Sequence, residues 1–377
     1  MKLCALLAMA ITAFAAAEDV SALLDPIRGK HSLPALAAAS ISAGEILDAG
    51  ACGLRRADGT ARVTPDDKWH LGSCTKSMTA SVAAMLVERG TLKWDTTLAD
   101  AFPKMEMDAA WRGVSLELLL AHRAGAPHVL PLPLMMRAKM DQGPLTGQRI
   151  ALVRALLKTA PDPAPGTKHV YSNQGYIIAG AMLEEATGKP WEDLMREMLF
   201  RPLKLESAGF GAPGSAKDVD QPWGHLRAGT HNGPVTPGPM ADNPPVLGPA
   251  GTVHMSIRDF ARYAGWHAGE ARRSGKLLTV ESFRKLHTAV EGQDYALGWG
   301  TAQRPWAGGR VLMHNGSNTH WFAVTWLAPK KNMAFMAASN VGPAAGGAAT
   351  DAAVVVMLQQ AGLISKPKAA ASEKAIQ

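Results

Sequence analysis

A serine hydroxyl is a weak nucleophile until a neighbouring base takes its proton, so a serine and a lysine one helical turn apart form a pair with chemical use. Three Ser-x-x-Lys stretches occur, at Ser73–Lys76, Ser282–Lys285 and Ser365–Lys368. Ser365 falls in a Lys/Ala tail, and Ser282 in a charged, surface-type helix. Ser73 differs. It follows Trp69-His70-Leu71-Gly72, a strand end, and opens an amphipathic helix expected over about 74–89, which Gly90 stops. Its hydroxyl then lies beside free backbone N–H groups and the positive end of the helix dipole. Lys76 lies one turn on, on the same face, and burial would lower its pKa enough to make the amine a base. Taken alone, the pair reads more simply as an N-cap serine and a surface lysine.

Two further elements bear on that choice. Tyr171-Ser172-Asn173 is the single Tyr-x-Asn of the chain and precedes a helix expected over Gln174–Thr187. A tyrosine there can pass protons between a nucleophile and a leaving group, and Asn173 can hold a substrate carbonyl or fix Lys76. The simpler alternative is a helix start capped by Ser172 or Asn173. His314-Asn315-Gly316 ends a strand expected over Arg310–His314. Glycine at a strand end lets a substrate approach the backbone, and the Ser317 N–H beyond it can serve as an oxyanion donor. An unshifted histidine titrates near pH 6.5, which would leave His314 partly charged and able to hold a substrate carboxylate.

Other chemistries are poorly represented. His-Glu-x-x-His and Cys-x-x-Cys are absent, and His225 and His231 lie in a Pro/Gly-rich stretch as solvated histidines, so neither metal nor cofactor is expected. Gly209–Gly214 fits a dinucleotide-binding pattern but follows no apolar strand and carries a proline where a helix should open. Gly-x-Ser-x-Gly is also missing.

These residues need elements to position them. The chain has 377 residues, of which 47% are hydrophobic and 19% charged, enough apolar material for a large core. A net charge of +7 without a Lys/Arg run of five or more describes a solvated surface, and no nucleic-acid partner is expected. Lys2, the apolar run Ala5–Ala17 and then Glu18-Asp19 have the form of a secretory leader. The expectation is an exported protein, periplasmic or secreted, with no membrane span after the leader is removed. Cys52 and Cys74 would remain, either paired or as two buried thiols. Strands are expected at Leu36–Ser42, Glu45–Cys52, Trp321–Ala328 and Asn332–Ser339, and helices at Leu116–His122, Trp191–Leu199 and about 350–361. Long loops, 131–145 and 209–250, would border a site. Strands at both ends with helices between predict an α/β (α+β) fold: one antiparallel sheet built from both chain ends, flanked by helices, with a mainly helical insertion. The boundaries read as a leader at 1–17, a sheet domain at 18–100 and 245–363, a helical domain at 101–244 and a tail at 364–377.

Ser73-x-x-Lys76, Tyr171-x-Asn173 and His314-x-Gly316, in that order, resemble the signature elements of the class C β-lactamase-like serine hydrolases. That family includes β-lactamases, D-alanyl-D-alanine carboxypeptidases, D-aminopeptidases and esterases. The likeness extends over roughly residues 30 to 360. It takes in Val63–Asp66, Leu119–Gly125, Gly175-Tyr176, Pro202–Leu205, Gly248–Gly251 with Arg258-Asp259, Leu297–Trp299, Trp326–Pro329 and Ser339-Asn340. The resemblance implies the β-lactamase/penicillin-binding-protein-like transpeptidase fold. It implies Ser73 as the acylated nucleophile, Lys76 and Tyr171 sharing the base role, and Asn173 orienting the substrate. The N–H groups of Ser73 and Ser317 would make the oxyanion hole, beside Gly316. True β-lactamases usually carry Lys-Thr-Gly where this chain has His314-Asn315-Gly316, which argues against efficient β-lactam hydrolysis. His320 stands where the family often has glycine, which would narrow the outer rim. Expected substrates are small molecules or peptidoglycan-like, with an ester, amide or β-lactam bond. The competing reading is a penicillin- or peptidoglycan-binding sensor of the same fold without efficient turnover.

Overall fold

The run Ala35–Ser42 forms a strand buried along nearly its whole length, and its period of two divides it between two cores. Ala35, Ala37, Ala39 and Ile41 join the larger apolar cluster, while Leu36 and Ala38 join the smaller cluster on the opposite face. A sheet with both faces covered must be sandwiched by helices. Helix Ile257–Gly269 packs on one face, and helices Ser21–Lys30 and Pro343–Gln360 on the other. The computed structural model describes residues 17–141, 143–270 and 277–366. Most of the expected leader and most of the expected tail lie outside the described residues.

In chain order the strands are β1 (Glu18–Asp19), β2 (Ala35–Ser42), β3 (Glu45–Gly53), β4 (Lys68–His70), β5 (Gly209–Phe210) and β6 (Gly224–Ala228). They continue with β7 (His231–Val235), β8 (Val253–Ser256), β9 (Gly300–Arg304), β10 (Gly309–Ser317), β11 (Phe322–Ala328) and β12 (Met333–Ser339). The main sheet has seven strands in the order β1-β3-β2-β12-β11-β10-β9, so it is built from both chain ends. Its pairs are antiparallel except at the edge, where β1 runs parallel to β3 and makes the sheet mixed. A three-stranded sheet, β4-β8-β5, carries the chain into the turn that holds Ser73.

Helix Thr75–Glu88 departs from the amphipathic expectation. Every residue from Thr75 to Leu86 is buried, so this is a central helix enclosed on all sides. Polar members such as Ser77 and Ser81 are accommodated because their hydroxyls return to carbonyls one turn back, Cys74 O and Ser77 O. Gly90 ends the helix at φ +73, as its position suggested. Two stretches expected as loops contain regular structure: 131–145 includes helix Leu132–Met140, and 209–250 includes the β6–β7 hairpin. Short apolar and polar residues alternate there without a clear period, which hid both elements. Residues 191–200 form a short α-helix, Trp191–Leu194, running into a π-helical turn, Met195–Phe200. The C-terminal helix begins at Pro343, earlier than expected, with the proline in its first turn.

Candidate active site

Ser73 lies in the 3₁₀ turn Gly72–Cys74, between β4 and the central helix, whose N-terminus no side chain caps. The strand β10 passes directly against this turn. A β-carbon on Gly316 would lie 2.5 Å from the Ser73 amide, and one on Gly72, where φ is +48, would overlap the Ser317 amide. Glycine on both sides permits this approach, which gathers the segments bearing the Ser73 and Ser317 N–H groups. His314 does not end the strand as expected. The strand β10 runs on to Ser317, with His314 opposite Thr325 and Gly316 opposite Ala323 on β11.

Lys76 is fully buried. Its ammonium position donates to Ser73 Oγ at 3.0 Å, Asn173 Oδ1 at 2.7 Å and the Ala250 carbonyl at 2.7 Å. Those partners are neutral, and burial lowers its pKa to about 7. The amine also faces the rings of Tyr171 and Tyr176, at 4.9 and 5.6 Å from their centroids. Asn173 is delivered by the first turn of helix Asn173–Thr187, where Ser172 Oγ accepts the Gly175 N–H at 3.3 Å. The Ser172 N–H in turn donates to His122 Nδ1, and Ser172 Oγ donates to the Pro127 carbonyl. Tyr171 is thereby held on a fixed loop. Burial raises its pKa, against a hydrogen bond with Ser73, so its hydroxyl keeps its proton at neutral pH.

His314 differs from the titrating histidine expected of it. It is buried, and desolvation, aided by Lys76 nearby, lowers its pKa to about 4. Its Nδ1 lies 2.6 Å from the Asn315 carbonyl and its Nε2 lies 3.0 Å from the Tyr295 hydroxyl. A neutral ring that donates from Nδ1 and accepts at Nε2 satisfies both. His225, expected to be solvated, is fully buried between the Ala57 N–H and the Asn340 carbonyl, with its pKa lowered to about 4 by burial. His231 is exposed. Ser282 is buried at the start of helix Val280–His287, where its N–H donates to Thr279, and Lys285 pairs with Glu117. Cys52 and Cys74 are both free. Cys74 adjoins Ser73, but burial pushes its thiol to about 12, which removes it as a nucleophile.

Three contributors lay outside the expected site residues, although Ala250 and His122 fall within the stretches Gly248–Gly251 and Leu119–Gly125 of the family likeness. Ala250 supplies a backbone acceptor to Lys76. Tyr295 fixes the His314 ring, and His122 packs against Tyr171, Tyr176 and Tyr295 with centroids 4.2, 5.2 and 4.8 Å away. Among the described residues, no group of three or more His, Cys, Asp or Glu is placed to hold a metal ion, and no helix is long and apolar enough to cross a membrane.

Comparison with known proteins gives the family. The chain is 29% identical over 332 residues to penicillin-binding protein 4 of Amycolatopsis lactamdurans, covering 85% of this chain and 84% of that protein. It is 28% identical over 301 residues to the unguisins hydrolase ungD' of Aspergillus campestris (strain IBT 28561), covering 74% of this chain and 53% of that one. The D-amino acid amidase of Ochrobactrum anthropi SV3, solved with L-phenylalanine amide, superposes with a TM-score of 0.71 at 18% identity, over 91% of this chain and 98% of that chain. Residues 20–359 match the Beta-lactamase family, and this chain is accordingly a serine hydrolase belonging to that family.

Proposed function

We infer that the protein is an exported hydrolase that works through an acyl-enzyme on Ser73. The observation that carries this is Lys76: a buried amine 3.0 Å from Ser73 Oγ, with neutral partners and a pKa lowered to about 7. At neutral pH a large fraction of such a lysine is unprotonated and can accept the serine proton as Oγ attacks the carbonyl carbon. The N–H groups of Ser73 and Ser317 stabilise the oxygen as it gains charge. Tyr171, protonated at rest and beside Ser73, hands a proton to the departing nitrogen or oxygen and recovers one from Lys76. Water, activated by the same pair, then releases the acid and returns the proton to Ser73. Asn173 holds Lys76 through its side-chain oxygen and leaves its amide nitrogen for the substrate.

Esters and amides of D-amino acids suit the site at least as well as β-lactams, because His314 is neutral and cannot replace a lysine against a ligand carboxylate. Export rests on the leader-like run Ala5–Ala17 between Lys2 and Glu18. The test is intact mass after exposure to an activated ester and to a β-lactam, with the adduct mapped by digestion. A transient adduct on Ser73, abolished with turnover in Ser73→Ala, is the expected result. An adduct on any other residue overturns the reading, and a permanent adduct without turnover makes the protein a sensor.

A further inference from the structure

The segment 209–250 ends close to the nucleophile turn and places Asp242 behind it. The Asp242 side chain is 7% exposed, and His70 beside it is fully buried. His70 Nδ1 accepts the Gly72 N–H at 3.1 Å. A ring nitrogen that accepts carries no proton, so the ring proton sits on Nε2, which lies 2.9 Å from Asp242 Oδ1 as a close polar contact, its N–H not aligned for a hydrogen bond. The same Oδ1 accepts the Asn318 Nδ2–H at 2.9 Å and the Asn243 N–H at 2.7 Å. Asn318 is itself buried, and it also donates to the Ala241 carbonyl at 3.1 Å.

The two arms from this carboxylate end at particular places. One runs through His70 to Gly72, the residue before Ser73. The other runs through Asn318, the residue after Ser317. Ser73 and Ser317 are the residues whose amides form the oxyanion hole under the acyl-enzyme reading, on which this inference rests. The glycine contact between Gly72 and Gly316 lets the two segments approach, but contact alone does not fix their relative orientation.

We propose that Asp242 is a positioning residue for the oxyanion hole, setting its two backbone donors through His70 and Asn318. A brace of this kind acts on the transition state more than on substrate binding, because the donors bond most strongly to the oxygen that has gained charge. Displacing reacting groups by about 1 Å can lower rates on the order of 10²-fold.

The experiment compares wild type, Asp242→Ala and Asp242→Asn, using an activated ester for kcat and KM and phenylboronic acid as a tetrahedral probe. The boronic acid accepts the Ser73 oxygen as a fourth ligand, the serine proton passes to Lys76, and the anionic adduct presents a boron oxygen to the two amides. Asp242→Ala should lower kcat and boronate affinity by about 10-fold to 100-fold while KM stays within about 2-fold. Asp242→Asn retains an acceptor oxygen and should recover most of both. Equal changes in KM and kcat, or an unaltered boronate affinity in a folded Asp242→Ala, would overturn the inference. If that variant does not fold, Asn318→Ala cuts one arm alone. It should show the same kcat and boronate losses at about 10-fold, with their absence overturning the proposal. Ser73→Ala separates the two readings: a wild-type chain that binds no boronate through Ser73 defeats the acyl-enzyme reading itself, and Asp242's role with it.

Discussion

Lys76 and Arg149 are both cations with no exposed side-chain surface, and the protein treats them in opposite ways. Arg149, on helix Leu145–Leu156, is clamped by Glu184 and by Glu192 Oε1 at 2.8 Å, and its Nε donates to the Val246 carbonyl. Lys76 has a serine, an asparagine and the Ala250 carbonyl. Both reach the short segment 245–251, yet only one is given counter-charges. Burying an ion is expensive, and two outcomes relieve it: pairing with opposite charge, or loss of the charge. Arg149 has taken the first and ties two helices and a turn together. Lys76 has taken the second in part, its pKa lowered to about 7. A buried amine without a carboxylate partner can serve as a base, and this difference supports the proposed site more sharply than the Ser-x-x-Lys spacing does.

Removing each cation should break different properties. Lys76→Met should lower kcat/KM by about 10²–10⁴-fold, the range for losing a positioned base, while leaving the fold intact or firmer, since an unpaired buried amine is replaced by an apolar chain of similar length. Rates and thermal unfolding on the same sample check both halves. A variant that keeps its rate would end the contrast.

Arg149→Met should do the reverse. It strands two carboxylates in the interior and should destabilise the protein by about 3–5 kcal/mol in denaturant unfolding, with near-normal kcat in the fraction that remains folded. Combining it with Glu184→Gln and Glu192→Gln should restore most of that loss, because the uncompensated charge is then gone. Failure of the triple variant to recover would mean that Arg149 stabilises by packing rather than by pairing.

Asn173→Asp gives Lys76 the counter-charge it lacks, 2.7 Å from the amine. A neighbouring carboxylate favours the ammonium, so the Lys76 pKa must rise from about 7. The base is the unprotonated amine, and activity therefore climbs as pH rises through that pKa. The acid limb of kcat/KM should move to higher pH by a unit or more, which leaves the rate at pH 7 down by roughly 10-fold. A limb that stays in place would show that it reports another group.

How much of this was legible beforehand follows the same division. Ser73, Lys76, Tyr171 and Asn173 could be put forward as candidates from residue type, spacing and the family resemblance, because each pair lies within one helical turn or one helix start. The sheet built from both ends was also readable, through the apolar runs Leu36–Ser42 and Trp321–Ala328, but as an antiparallel sheet; the parallel edge pair of β1 with β3 was not. Surroundings were not. Whether Lys76 is surrounded by carbonyls or carboxylates depends on Ala250, 174 residues away, and backbone acceptors leave no trace in composition. His225 was misread for the same reason, since a Pro/Gly-rich neighbourhood suggests solvent while the fold seals the ring against Asn340. The helix Leu132–Met140 was missed because its exposed Leu132, Met136 and Met140 break the apolar period.

The smallest expected effect concerns His314, a second group that gives up its charge. Its folded pKa is lowered to about 4, against about 6.5 when unfolded, so it is neutral across pH 5.5–9. KM for a substrate with a free carboxylate should then run parallel to KM for a neutral ester over that range. A limb near pH 6.5, present for the carboxylate alone and lost in His314→Gln, would restore the histidine to a charged binding role. The stability consequence has a definite sign. Because the unfolded chain takes up the proton first, the contribution from neutral His314 is fully present above about pH 6.5. It is lost as pH falls toward 4, at up to roughly 1.4 kcal/mol per pH unit. His314→Gln should flatten that part of the unfolding profile by about one histidine's share while His225 and His254, also lowered to about 4, keep their own. Lys76→Met removes the nearby amine that helps depress His314, so the loss, which still begins near pH 6.5, should end at slightly higher pH and be slightly smaller. An unaltered profile in both variants would mean that His314 has the same pKa folded and unfolded, so that its burial does not depress it.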